Sequence, residues 1–120
     1  MSKKQDELFP PDEGENGALE EFERLSRLLF ERVNTFAEEE NVSDEILPLL
    51  VLQLSVTLRM GSYVMLTAKP SSGGLKLDLD RFRREADDLI REMKRDAERF
   101  VAESKERIAE IELEEDEGEE

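Results

Sequence analysis

The side chains that most often carry catalysis are scarce in this sequence. It contains no His, no Cys and no Trp, and only one Tyr. General acid–base chemistry near neutral pH would therefore need a carboxylate or a lysine whose pKa is strongly shifted by burial. The acids instead follow surface-type patterns, and the runs 38–40, 87–88 and 114–116 lack the ligand spacing of a calcium-binding loop. We therefore expect a protein that is not an enzyme and that holds no metal or cofactor.

Recognition chemistry, unlike catalysis, has a candidate near the N-terminus. The segment 5–9 reads Gln-Asp-Glu-Leu-Phe. It resembles the bacterial sliding-clamp-binding peptide, in which Gln is followed by two variable residues, then Leu, then Phe or another apolar residue. The resemblance implies that Gln5 binds a polar subsite while Leu8 and Phe9 fill an apolar pocket. The alternative interpretation is a solvated acidic tail, since the match covers five of 120 residues.

The charge of the chain limits its partners. The formal net charge is −15 and the isoelectric point is near 4.4, so direct binding to nucleic acid or to an anionic membrane is disfavoured. The first residues carry two lysines but no apolar run after them, so we expect no secretory signal. The expected location is cytoplasmic, and the expected partners are proteins.

The negative charge is concentrated at the two ends of the chain. Residues 1–40 contain 12 acids and 5 bases, and residues 112–120 contain 7 acids and no base. Residues 41–79 are neutral overall, and residues 80–111 contain 10 acids and 9 bases. A nucleic-acid mimic would need rows of carboxylates on its folded surface, so this distribution argues against one.

The composition predicts one folded segment between two disordered ones. Residues 1–16 contain two adjacent prolines and five acids but few apolar side chains, so we expect them to be disordered. Residues 113–120 are expected to form a disordered acidic tail, which would either solubilise the protein or mask a basic partner. A single helical domain is expected over residues 17–112.

The first predicted helix covers residues 17–40. Phe22, Leu25, Leu29, Val33 and Phe36 recur at three- and four-residue steps, which indicates one apolar face. Asn16 is the expected N-cap, and Asn41 offers a stop.

Residues 46–68 hold only one charge, Arg59. A buried helix is favoured, with Ser43 or Asn41 as its cap and Pro48 in its first turns. Strict alternation over 52–60 followed by Gly61-Ser62 also fits a β-hairpin, which would give an α-β-β-β-α order. A membrane span is long enough but disfavoured by Arg59 near its centre.

A long helix is expected from Asp78 or Asp80 to about Leu113, after a loop at residues 71–74. Its apolar positions recur every three or four residues in an eleven-residue repeat, which predicts a straight or slightly right-handed packing surface. We call this set the C-terminal stripe; it comprises Phe82, Ala86, Leu89, Met93, Ala97, Phe100, Ser104, Ile108 and Ile111. A helix of this length cannot be covered within one compact subunit, so another chain is expected to cover part of it.

These observations predict a mainly α fold, with a helical hairpin followed by one long C-terminal amphipathic helix. The expected function is that of a small acidic adaptor or regulator that binds proteins and self-associates through the C-terminal stripe. Two alternatives stay open: a secretion-type chaperone, which the α-β-β-β-α order would favour, and an acidic mimic that inhibits a DNA-binding protein.

Overall fold

The computed structural model describes residues 14–118, and this part of the chain is mainly α-helical. The helices are α1, Gly14–Glu39; α2, Leu47–Leu66; α3, Ser72–Arg95; and α4, Ala97–Gly118. The described residues contain no strand. The mainly α prediction is therefore confirmed, and the alternative α-β-β-β-α order is wrong.

The chain divides into two compact units, where the sequence led us to expect one domain. The first unit ends at Gln53 and holds α1 and the start of α2. The second unit begins at Leu54 and holds the rest of α2 together with α3 and α4. No side chain between residues 17 and 118 is buried, so this part of the chain encloses no core in either unit.

Helix α1 ends in a well-defined C-cap. Asn41 has a φ of 54°, in the left-handed region that Asn tolerates better than most residues other than Gly. The N–H of Val42 donates to the carbonyl of Ala37 at 2.9 Å, and the N–H of Asn41 donates to Glu38 at 3.4 Å. This pair of bonds is a Schellman motif, so the predicted stop at Asn41 is confirmed.

The start of α1 differs from the prediction. The helix begins at Gly14, so Asn16 lies inside it and is not its N-cap. Asn is less favourable than Ala in a helix interior by only about 0.7 kcal/mol or less, so an N-terminal turn can include it.

Helix α2 settles the ambiguity of the apolar middle segment. Residues 52–60 alternate between apolar and polar side chains. Over the whole segment, however, apolar side chains fall at both odd and even positions, which is equally compatible with a helix. The carbonyl of Ser43 accepts the N–H groups of Ile46 and Leu47 at 3.1 and 3.0 Å, which starts the first turn. Pro48 is the second residue of the helix, where a missing N–H needs no partner. By length and composition α2 could cross a membrane, with a mean hydropathy of 1.5, and none of it is buried.

Helix α3 begins at Ser72, earlier than the expected Asp78 or Asp80, so the loop predicted at residues 71–74 is wrong. Ser71 is extended (φ −141°, ψ 159°), and its hydroxyl oxygen accepts the N–H of Gly74 at 3.0 Å. This N-cap bond satisfies one of the donors that a helix start leaves unpaired. Two glycines can therefore occupy the first turn despite their low helix propensity.

The expected single long helix is interrupted at Asp96. The N–H of Asp96 bonds to Met93 at 3.1 Å, and the residue leaves helical geometry at φ −97° and ψ 6°. Asp is a poor helix former because its side chain competes for nearby backbone groups. Beyond this break α4 continues to Gly118, through acidic residues that we expected to be disordered. Glu has a high helix propensity, which favours this extension.

Candidate interaction surfaces

Arg59 joins α2 to α3. Its guanidinium donates from Nε to Asp78 Oδ2 at 2.9 Å and from Nη2 to Asp78 Oδ1 at 3.1 Å. A third bond runs from Nη1 to Glu85 Oε2 at 3.0 Å. The same guanidinium carbon lies 5.1 Å from the centre of the Phe82 ring, within the range of a cation–π interaction. The single charge of the apolar helix is therefore neutralised within the chain.

The electrostatics of this pair follow from its hydrogen bonds. The Arg59 guanidinium beside Asp78 lowers the pKa of that carboxyl below its ordinary value, and burial opposes the shift. The carboxylates in turn raise the pKa of Arg59. Both side chains are mostly covered, with 26% of Arg59 and 17% of Asp78 exposed. The pair is thus ionised at neutral pH and holds two helices together.

A second contact between α2 and α3 lies at Tyr63. Its hydroxyl oxygen accepts the N–H of Ser71 at 3.2 Å and lies 3.4 Å from the Ser71 carbonyl oxygen, to which it donates. A Cβ added at Gly74 would overlap this hydroxyl oxygen. Gly74 is therefore needed for the close approach of the tyrosine ring to the first turn of α3.

These contacts define an antiparallel helix pair. Going from Arg59 to Tyr63 along α2, the partners on α3 run backwards, from residues 78–85 to residues 71–74. Several half-covered positions lie on this shared face; they include Val56, Arg59, Tyr63, Leu75, Asp78, Leu79, Phe82 and Ala86. The ion pair sits at the middle of this face, and apolar side chains flank it.

The C-terminal stripe is divided by this packing. Phe82 and Ala86, its first two members, are half-covered, and Phe82 contacts Arg59. The later apolar members are exposed; among the large side chains the exposed fractions are Leu89 53%, Met93 63%, Phe100 70%, Ile108 56% and Ile111 51%. Ala97 is also exposed, and Ser104 is half-covered. The exposed stripe therefore begins after Ala86 and runs across the break at Asp96.

Charged side chains flank the exposed stripe. Arg99 lies 3.7 Å from Asp96 and 4.0 Å from Glu103, and Arg91 lies 3.5 Å from Asp88. These pairs are exposed, so each stabilises the helices by no more than a few tenths of a kcal/mol. An apolar row with charges of both signs beside it is typical of a helix face that packs on another helix.

Gln5, Leu8 and Phe9, the residues of the predicted clamp-binding peptide, lie outside the described residues. Between residues 14 and 118 no three acidic side chains come together in a group that could hold a metal ion. A shallow depression of about 510 Å³ lies beside the C-cap of α1, where Glu38 and Asp44 line it with apolar and amide groups.

Sequence reasoning missed the partners of Arg59 and the role of Tyr63. A lone arginine in an apolar segment must have a counter-charge if it is not solvated. That argument applied to Arg59, but many carboxylates were available, and only the antiparallel packing selects Asp78 and Glu85.

Comparison of the chain with known protein families, with curated proteins and with solved structures finds no match.

Proposed function

We propose that this chain is a small acidic protein that acts by binding other proteins, as an adaptor or regulator, and not by catalysis. In this proposal it associates with other copies through the C-terminal stripe. The proposal keeps the finer architecture expected from the sequence, a helical hairpin followed by one long amphipathic element, with α3 and α4 acting together across Asp96.

One observation carries the proposal: large apolar side chains are exposed along α3 and α4, and no residue between 17 and 118 is buried. Burying a Leu, Ile, Phe or Met side chain contributes about 1.5–3 kcal/mol. A row of such side chains on one helical face is therefore a strong driving force for contact with another chain. The absence of strands from residues 14–118 also removes the element order that favoured a secretion-type chaperone.

Sedimentation of the full chain tests the self-association. We expect the wild type to sediment as an oligomer and the double variant Phe100→Glu/Ile108→Glu to form a smaller species, because two charges would be placed in the contact. The matched control is Leu113→Glu on the same helix, which is 62% exposed but lies off the stripe. Circular dichroism at 222 nm checks that each variant keeps its helices.

A monomeric wild type at every concentration, or a control that dissociates as fully as the double variant, would show that the C-terminal stripe is not the self-association face.

The N-terminal peptide is the proposed contact with a different protein, on the strength of its resemblance to the sliding-clamp-binding peptide. Purified bacterial sliding clamp should bind the full chain, and Leu8→Ala/Phe9→Ala should abolish that binding. The control is Asp6→Ala/Glu7→Ala, which changes only the variable positions of the pattern. Equal binding by both variants, or no binding by the wild type, would refute this partner.

A further inference from the structure

The exposed part of the C-terminal stripe has charged edges of opposite sign. Met93 and Ser104 lie on the centre line of the stripe, and in both cases the next residue is a lysine and the preceding residue is a glutamate. Since neighbouring residues of a helix point about 100° apart, the lysines flank the stripe on one side and the glutamates on the other. All four charged side chains are exposed. We call one pair the basic edge and the other the acidic edge; they comprise Lys94 and Lys105, and Glu92 and Glu103.

These edges continue through the break at Asp96. The φ and ψ of Asp96 are −97° and 6°, and they depart from helical values in opposite directions, by about 34° and 48°. Opposite changes of this kind largely cancel in the turn per residue. The N–H of Phe100 donates to the carbonyl of Asp96 at 2.9 Å, so the helical ladder resumes directly. The stripe and its two edges therefore keep nearly the same alignment along α3 and α4.

The basic edge is not used by contacts inside the chain. In the described part of the chain neither Lys94 nor Lys105 lies in an ion pair. On the acidic edge, Glu103 lies 4.0 Å from Arg99, and both side chains are more than half exposed. Asp96 and Arg107 lie closer to the stripe on that side, and their opposite charges cancel. Both edges are therefore available to another chain.

The period of the stripe selects the chain that can cover it. Eleven residues in three turns is about 3.67 residues per turn, whereas a heptad row repeats every 3.5 residues. A heptad helix would drift away from the stripe between Leu89 and Ile111, but a second copy has the same period. A second copy also presents one edge of each sign at the same spacing. It therefore matches the stripe in period and in charge.

The order of the edges selects the orientation. When two identical helices pack in parallel, the two-fold axis runs along them, and the basic edge of one copy lies beside the acidic edge of the other. When they pack antiparallel, the axis crosses them and like edges meet. In the parallel arrangement Lys94 of each copy lies beside Glu92 of the other, and Lys105 lies beside Glu103.

We propose that the C-terminal stripe packs against the stripe of a second copy in parallel and in register, with the basic edge of each copy facing the acidic edge of the other. The proposal rests on the proposed function and adds an orientation to it. Exposed ion pairs are weak, so they select the orientation while the apolar stripe drives association. The net charge of −15 per copy outweighs these pairs, so salt still strengthens the association as a whole. The acidic run that starts at Glu112 lies beyond Ile111, where the two copies can diverge.

Distances between spin labels test the orientation. The chain contains no Cys, so one label can be attached to Asp87→Cys or to Glu110→Cys, near the two ends of the exposed stripe and away from the contact. In a parallel pair each label should lie about 20 Å from its counterpart at both positions. In an antiparallel pair both distances should be about 40 Å, because each label lies about 35 Å along the axis from its counterpart.

Charge reversal tests the edges. Lys94→Glu/Lys105→Glu should raise the dissociation constant about tenfold or more, because two acidic edges would then face each other on both sides of the contact. Adding Glu92→Lys/Glu103→Lys restores opposite charges across the contact and returns the net charge to −15. This fourfold variant should recover the affinity of the wild type. In an antiparallel pair like edges meet before and after the reversal, so neither effect is expected.

The matched control is Arg91→Glu/Arg95→Glu, which changes the net charge by the same amount on the far face of α3. Its dissociation constant should rise less than that of the edge variant. Circular dichroism at 222 nm checks that every variant keeps its helices. An equal rise in the two variants, or no recovery in the fourfold variant, would refute the pairing of the edges.

The outcomes separate the orientation from the proposed function. A wild type that is monomeric at every concentration would refute both. Distances of about 40 Å at both positions, in an assembly that Phe100→Glu/Ile108→Glu dissociates, would keep the stripe contact and overturn the parallel arrangement. Short distances at both positions, with recovery in the fourfold variant, are the result that the proposal requires.

Discussion

The guanidinium of Arg59 on α2 donates two hydrogen bonds to the carboxylate of Asp78 on α3, at 2.9 Å from Nε and 3.1 Å from Nη2. Bidentate pairing of this kind fixes direction as well as distance. Together with the contact between Tyr63 and Ser71, it sets how far α2 is shifted along α3. The exposed part of the C-terminal stripe is positioned by this register.

Removal of the charge on Asp78 should loosen the helix pair. Asp78→Asn keeps the shape of the side chain but leaves Arg59 without its main counter-charge, so the thermal unfolding midpoint should fall. Asp80→Asn is the control; Asp80 is 53% exposed and pairs with Arg83 in the same helix. Surface changes of this type alter stability by about 0.5 kcal/mol or less. Circular dichroism follows the thermal unfolding of each variant. Equal midpoints for Asp78→Asn and Asp80→Asn would contradict a structural role for the Arg59–Asp78 pair.

The same pair makes stability depend on pH in a defined direction. The pKa of Asp78 is lowered in the folded state, mainly by its hydrogen bonds to Arg59. A group with a lowered folded pKa contributes stability above its unfolded pKa, about 3.9 for Asp, and loses that contribution as the pH falls through the folded pKa. The difference in unfolding free energy between wild type and Asp78→Asn should therefore be constant from pH 7 to about 5 and shrink below about 4. Denaturant titrations at each pH measure it, and a difference that grows on acidification would show that the sign is wrong.

Gly74 and Gly73 should respond in opposite ways to an added methyl group. At Gly74 the new Cβ would overlap the Tyr63 hydroxyl, so Gly74→Ala should destabilise the pair by about 1–3 kcal/mol, as overpacking does. At Gly73 the Cβ would meet nothing within 4 Å, so Gly73→Ala should stabilise by about 0.5–1 kcal/mol.

A double-mutant cycle checks the assigned cause. Without the hydroxyl, in a Tyr63→Phe background, Gly74→Ala should cost less than it does in the wild type. The same cost in both backgrounds would place the strain elsewhere than at the tyrosine oxygen.

The sequence predicted which segments form helices better than it predicted where each helix begins and ends. The three- and four-residue apolar spacing of residues 22–36 fits one regular secondary structure, the α-helix. The stop at Asn41 depends on a local backbone preference, the tolerance of Asn for a positive φ. The start of α3 was missed because the Ser71 cap outweighs two glycines whose composition indicates a loop. The break at Asp96 was missed because one poor helix former among good ones does not mark an end until the geometry is known.

The residues that join α2 to α3 could not be found from spacing. Arg59 and Asp78 are 19 positions apart, and no periodicity links residues on different helices. The C-terminal stripe was visible from sequence because the charges around it are dense enough to outline it.

An increase in ionic strength should strengthen the association of this chain with itself. Each copy carries a net charge of −15, while the proposed contact through the C-terminal stripe is apolar, so salt screens the repulsion and leaves the attraction intact. Between 0.1 M and 1 M sodium chloride the Debye length shortens from about 10 Å to about 3 Å. The dissociation constant from sedimentation equilibrium should therefore fall over this range, by roughly tenfold if about 1.4 kcal/mol of repulsion is screened. Association driven by ionic contacts between copies would give the opposite slope, so association that weakens with salt would contradict an apolar contact through the C-terminal stripe.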